Sequence, residues 1–329
     1  MGLFEAIQTN LASPPILFFV LGLIAAAVKT DLRFPEPLYI TLTIYLLVAI
    51  GFKGGVAVAS AGLGAVWLPA LAAVALGAAI PLWSYPILRF VGKLPAVDAA
   101  AIGAHYGSVS AVTFIAAVSY LNELKQPYEA YASAFLAVME SPAIVVGVVL
   151  GKLATRREEA SLRSVLGLAL HEGLLGRSVF LLLGSLLVGF LCGQRGLDAT
   201  AGFFVTPFQG ILSLFLLEMG MVAARRFGDL RKVGLFLVGF GVLMPLAHGV
   251  IGIMLGQWAG LSLGGAMLLG VLASSASYIA APAAMRLSLP EANPTLYLTS
   301  ALTITFPFNI TFGLPLYYEV ARWWFGGSR

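Results

Sequence analysis

Gly103-Ala104-His105-Tyr106-Gly107-Ser108-Val109-Ser110-Ala111-Val112-Thr113 lies in the middle of an apolar run, 97–121. Small and hydroxylated residues there weaken an α-helix, because Gly carries a large entropic cost and Ser competes for backbone hydrogen bonds. A second such segment, Ala273-Ser274-Ser275-Ala276-Ser277-Tyr278-Ile279-Ala280-Ala281-Pro282, lies about 166 residues on, inside the run 262–286. Pro282 lacks a backbone donor and adds to the interruption. Further along each half, Tyr131-Ala132-Ser133-Ala134 matches Tyr297-Leu298-Thr299-Ser300, and Glu140-Ser141-Pro142 matches Phe306-Pro307. Leu47 to Val58 echoes Leu216 to Ala223, with Gly51 and Gly220 as anchors. Each match is weak, but together they suggest one unit of about 165 residues written twice.

The surroundings of both segments are membrane-like. Of the 329 residues, 60% are hydrophobic and 10% charged. Soluble domains carry about 25% charge. A span needs roughly 20 apolar residues, and ten runs qualify: 13–28, 37–59, 65–91, 97–121, 130–153, 173–193, 203–224, 232–259, 262–286 and 292–320. The expected fold is an all-α polytopic membrane protein of ten transmembrane helices. These form two inverted five-helix repeats, with broken helices four and nine. Residues 1–153 form the first repeat, 154–172 a short connector and 173–329 the second. Glu159 and Arg163 suit a short surface helix in the connector. An odd number of spans per unit turns the second copy over in the membrane. Of the 19 Lys and Arg residues, 14 fall in loops of one side and 5 on the other. That asymmetry puts the connector in the cytoplasm and both termini outside. The net charge of +4 comes from these scattered loop residues, without the basic stripe of a nucleic-acid binder. The N-terminus has no basic leader, so the first span is expected to stay in the protein. Cys192 sits in an apolar run and is expected to be buried. No Walker A run, G-x-S-x-G or H-E-x-x-H is present, so the chain is not expected to be an enzyme or to use ATP.

An unwound mid-span turn exposes N–H groups at the start of the following half-helix, where the dipole favours an anion. The expected anion-binding residues are therefore Gly107, Ser108, Ser110, Thr113, Ser274, Ser275, Ser277 and Tyr278. Close helix packing is the plainer explanation for one such segment, and the second, at a matching position, favours a site. Ionisable groups inside spans are costly and point to function. Glu140, next to Pro142, is expected to coordinate a cation or carry a proton, and Ser110, Ser277 and Thr303 complete the cation set. Glu218 is a weaker candidate, with interhelical pairing as the alternative. His105 and His248 are expected to pack, and Asn309 to line the path.

Gln126-Pro127-Tyr128-Glu129-Ala130-Tyr131, Met219-Gly220-Met221, Asp229-Leu230-Arg231-Lys232-Val233, Pro245-Leu246-Ala247-His248-Gly249 and Ala292-Asn293-Pro294, in that order, resemble the sodium-dependent bicarbonate transporter family of cyanobacteria and its bacterial relatives. The resemblance spans nearly the whole chain. It implies a secondary-active carrier in the bacterial inner membrane that imports bicarbonate with sodium and needs no other cofactor. It further implies a gate domain, a core domain, a homotrimer embedded in lipid and a PII-like regulator on the connector. Three features depart from the family pattern. Ala111-Val112 replaces a Gly-Ser pair in the first break, and Tyr278 replaces an Asp in the second, while Glu140 stands for a family Asp. An organic-anion or proton-coupled carrier on the same fold is the alternative, and a non-transporting membrane sensor a further one.

Overall fold

A computed structural model describes residues 3–155, 167 and 175–326. The expected connector helix lies outside them. All regular secondary structure among the described residues is helical. A short helix α1 (Leu3–Leu11) bends by 69° into α2 (Pro14–Ala27). Then come α3 (Glu36–Ala61), α4 (Leu63–Pro86), α5 (Ala96–Gly107), α6 (Ala111–Glu123) and α7 (Ser133–Thr155). Beyond the connector follow α8 (Arg177–Phe204), α9 (Phe208–Arg225), α10 (Leu230–Trp258), α11 (Leu263–Ser274), α12 (Ala280–Ser288), α13 (Pro294–Leu298) and α14 (Leu314–Trp324).

Six of these helical stretches are long and apolar enough to cross a membrane, or seven if the bent α1–α2 pair counts as one. The protein is thus a multi-pass membrane protein. The run 262–286 drops out of that count because residues 275–279 separate α11 from α12. The run 292–320 is also outside that count. Between α13 and α14 the chain widens into π turns at Thr299–Thr305 and Asn309–Gly313. Pro307 and Pro315 cannot donate to the preceding turn, so the hydrogen-bond ladder slips by one residue. The same happens at Ile87–Val91, just after Pro86.

Packing divides the helices into two groups. In the first, α2 pairs with α9 and α3 with α8. These pairs meet backbone to backbone. A Cβ on Gly22 would stand 2.0 Å from the Leu217 carbonyl oxygen, and one on Gly220 2.1 Å from that of Phe19. Gly51 lies against Ser185, and Gly189 against the Phe52 carbonyl. Small residues permit this approach, which maximises dispersion contacts where lipid offers no hydrophobic drive. In the second group α4, α5 and α7 pack together, and α10 and α11 pack with each other and with the α13–α14 segment.

One expectation is corrected here. Cys192 is exposed rather than buried. It follows Leu187, Val188, Phe190 and Leu191, also exposed, on a stretch of α8 turned away from the protein core. An apolar run in a membrane helix does not distinguish core from lipid, since both accept the same side chains.

Candidate functional site

Two helices stop in the middle of the second group. Helix α5 ends at Gly107, and Ser108 takes an extended conformation (φ −78°, ψ 172°). Helix α11 ends at Ser274, and Ser275 does the same (φ −83°, ψ 166°). The chain restarts as α6 and α12. Each break donates one amide across to the other half. Ser110 N–H reaches Ser275 Oγ at 2.8 Å, and Ser277 N–H reaches the His105 carbonyl at 2.8 Å. The breaks therefore hold one another in place, with backbone groups that a continuous helix would have used internally.

The hydroxyls expected to bind an anion fall into two classes. Ser274 Oγ donates to the Val271 carbonyl, and Ser275 Oγ donates to Leu272 while accepting from Ser110. Both protons are committed to structure. Ser110 Oγ caps α6, accepting from Thr113 N at 3.2 Å and Thr113 Oγ1 at 2.9 Å. Ser277 Oγ accepts from Ala281 N at 3.2 Å. As acceptors in these bonds, Ser110 and Ser277 keep their own protons available. Ser108 Oγ is buried and has no partner among the described residues. Gly107 serves packing, since a Cβ there would stand 2.5 Å from the Pro81 ring.

Beside the breaks is a cavity of about 20 Å³, lined by Ser110, Glu140, Ser277 and Tyr278 and closed by Leu47 and Leu136. That is room for about one water-sized particle. Glu140 projects from α7 and is 4% exposed. Its carboxylate makes no hydrogen bond or ion pair with any described residue. The Tyr278 hydroxyl, close to Ser110, finds no partner at bonding distance, and its ring packs edge-on against Phe306. Three of the four residues in the expected cation set thus share this cavity. Thr303 does not line it, although its hydroxyl is buried and unpartnered. A larger cavity of about 300 Å³ adjoins the first through Ser178 and Ile279, and Tyr39, Thr43 and Arg177 line it.

The remaining polar residues sort as follows. His105 Nδ1 lies 2.6 Å from the Ala101 carbonyl, and its ring stacks on Tyr297. His248 Nε2 accepts from Trp83 Nε1 at 2.9 Å. Asn309 donates to the Ser274 carbonyl and accepts from Tyr317, so it braces the end of α11. Glu218 is buried on α9, away from the cavity. No group of three metal-ligating side chains occurs among the described residues. Sequence reasoning passed over Thr299 and Ser300, whose buried hydroxyls have no partner. Their position one turn before Thr303 was the available signal.

A family model described as the Na+-dependent bicarbonate transporter superfamily matches residues 14–322 of the chain. No curated protein matches it.

Proposed function

The chain belongs to the Na+-dependent bicarbonate transporter superfamily, and from that premise we propose that it imports bicarbonate with sodium through the paired helix breaks. The observation that carries this reading is a carboxylate, Glu140, unpaired among the described residues and facing a cavity of about 20 Å³ with Ser110 and Ser277. A buried carboxylate without a partner is costly, and oxygen ligands around a space of that size suit a small hard cation. The available protons of Ser108, Ser110 and Ser277 and the first turns of α6 and α12 suit a planar oxyanion beside it.

We further propose ten crossings arranged as two inverted units. Support comes from reciprocal packing: Gly51 of α3 meets α8, and Gly220, its counterpart on α9, meets α2. Matching conformations at Ser108 and Ser275 add to it. In this reading α2, α3, α8 and α9 form the gate. The broken helices and their neighbours move against that gate to carry the ions, in the bacterial inner membrane.

The test is uptake of labelled bicarbonate into proteoliposomes, with and without an inward sodium gradient. Sodium-stimulated uptake is expected, and no uptake in either condition overturns the proposal. A second reading rests on Tyr278, whose phenol lines the same cavity as Glu140. Proton coupling would then replace sodium, and uptake driven by a pH gradient without sodium would identify it.

A further inference from the structure

The cytoplasmic ends of α2 and α9, on the side rich in Lys and Arg, enclose a cavity that the transport reading does not use. It measures about 450 Å³ and is lined by Lys29, Arg33 and Arg225, with Thr30, Leu32 and Met221. None of the lining residues is acidic. The three cations make no hydrogen bond or ion pair with any described residue. Asp31 lies between Lys29 and Arg33 in sequence but does not line the cavity. Glu218, two turns back on α9, attracts Arg225 but does not line the cavity. At the end of α2, Thr30 N–H and its hydroxyl bond the Ala25 oxygen, and Lys29 N–H bonds that of Ala26.

Beginning at Val28, next to Lys29 in sequence, a row of exposed side chains runs back along α2: Val28, Ile24, Leu21 and Leu17, spaced so that they share one face. Three convergent cations at the head of an apolar stripe match an anionic phospholipid in both its parts. The phosphate would sit among Lys29, Arg33 and Arg225, and an acyl chain would lie along α2. We infer that this cavity binds the phosphate of an anionic phospholipid headgroup and so fastens α2 to α9.

The test uses the full-length purified protein, with phosphatidylglycerol, phosphatidylcholine and sn-glycerol 3-phosphate as probes. Bound lipid is read by native mass spectrometry and stabilisation by thermal melting. Phosphatidylglycerol is expected to be retained and to raise the melting midpoint, whereas phosphatidylcholine is not. The triple variant Lys29→Gln/Arg33→Gln/Arg225→Gln should weaken phosphatidylglycerol binding at least about tenfold, the effect of roughly 1.4 kcal/mol. Should that variant fold poorly, Lys29→Gly serves instead. Lys29 has a left-handed backbone (φ 57°) that Gly adopts freely, so the variant should melt no lower than wild type while binding the lipid several-fold more weakly. Equal protection by glycerol phosphate keeps the phosphate site but makes its source soluble. Unchanged phosphatidylglycerol binding in both variants overturns the inference, as does equal protection by phosphatidylcholine. Lipid binding that appears only in Glu158→Gln/Glu159→Gln would give the cavity to the chain's own connector and overturn it too.

Discussion

Ser274 and Ser275 are adjacent, fully buried and chemically identical, yet their replacement by Ala should have different consequences. Ser275 Oγ is the acceptor for Ser110 N–H at 2.8 Å. Ser110 itself is 4% exposed, so Ser275→Ala leaves a buried amide with no partner. Stranding such a donor costs about 1–3 kcal/mol. Interhelical hydrogen bonds in membrane proteins average about 0.6 kcal/mol and reach about 1.7. An orphaned backbone donor belongs near the top of that range, at about 1.5 kcal/mol. Ser274 Oγ donates to the Val271 carbonyl and lies beside the Tyr317 hydroxyl, which keeps its own acceptor in Asn309, and a carbonyl short of one partner is better tolerated than a stranded N–H. Ser274→Ala should therefore cost about 0.5 kcal/mol or less. Hydrogen exchange read by mass spectrometry on the peptide containing Ser110 separates the two. Its amide should exchange about tenfold faster in Ser275→Ala, since about 1.4 kcal/mol is a factor of ten. It should barely change in Ser274→Ala. Equal exchange in the two variants, or none beyond wild type in Ser275→Ala, would refute the interlocked geometry of the breaks.

Three other outcomes are expected. Glu140→Gln should keep the fold but weaken the apparent sodium affinity of uptake about ten- to a hundredfold, by loss of a charge-assisted interaction of about 1.5–3 kcal/mol; uptake against sodium concentration measures it. Gly220→Ala places a Cβ 2.1 Å from the Phe19 carbonyl and should lower stability by about 1–3 kcal/mol. Gly239→Ala, where a Cβ meets open space, should be neutral or mildly stabilising, and thermal melting of the pair shows the contrast. Glu129→Ala removes a carboxylate that accepts from Ser262 N at 2.8 Å and Ser262 Oγ at 3.0 Å, at the N-terminus of α11. A loss of about 1 kcal/mol is expected by analogy with helix caps, again read by melting.

The helix limits were largely legible in the sequence. The expected runs 37–59, 65–91 and 97–121 compare with described spans Glu36–Ala61, Leu63–Val91 and Ala96–Glu123. Hydrophobic run length is a local property, and the membrane's thickness sets it directly. The breaks at 108–110 and 275–279 were legible for a similar reason, because Gly, Ser and Pro act on their own backbone.

The division of labour among the serines was not legible. Ser108, Ser110, Ser274, Ser275 and Ser277 are alike as residue types; Ser110, Ser274 and Ser277 bond within four residues of themselves, whereas Ser275 also accepts an amide from 165 residues away. Ser275 is a brace because Ser110 stands across from it. Ser110 keeps a free proton because Thr113 donates to it. The same holds for Glu140, whose expected neighbour Thr303 turned out not to line its cavity, and for Cys192, whose apolar surroundings could have faced core or lipid. The sequence by itself determined where the chain becomes helix and where helix fails, since those depend on each residue and its near neighbours. Only the tertiary structure decided how the two breaks meet, because Ser110 N–H bonds Ser275 and Ser277 N–H bonds His105, partners more than a hundred residues away.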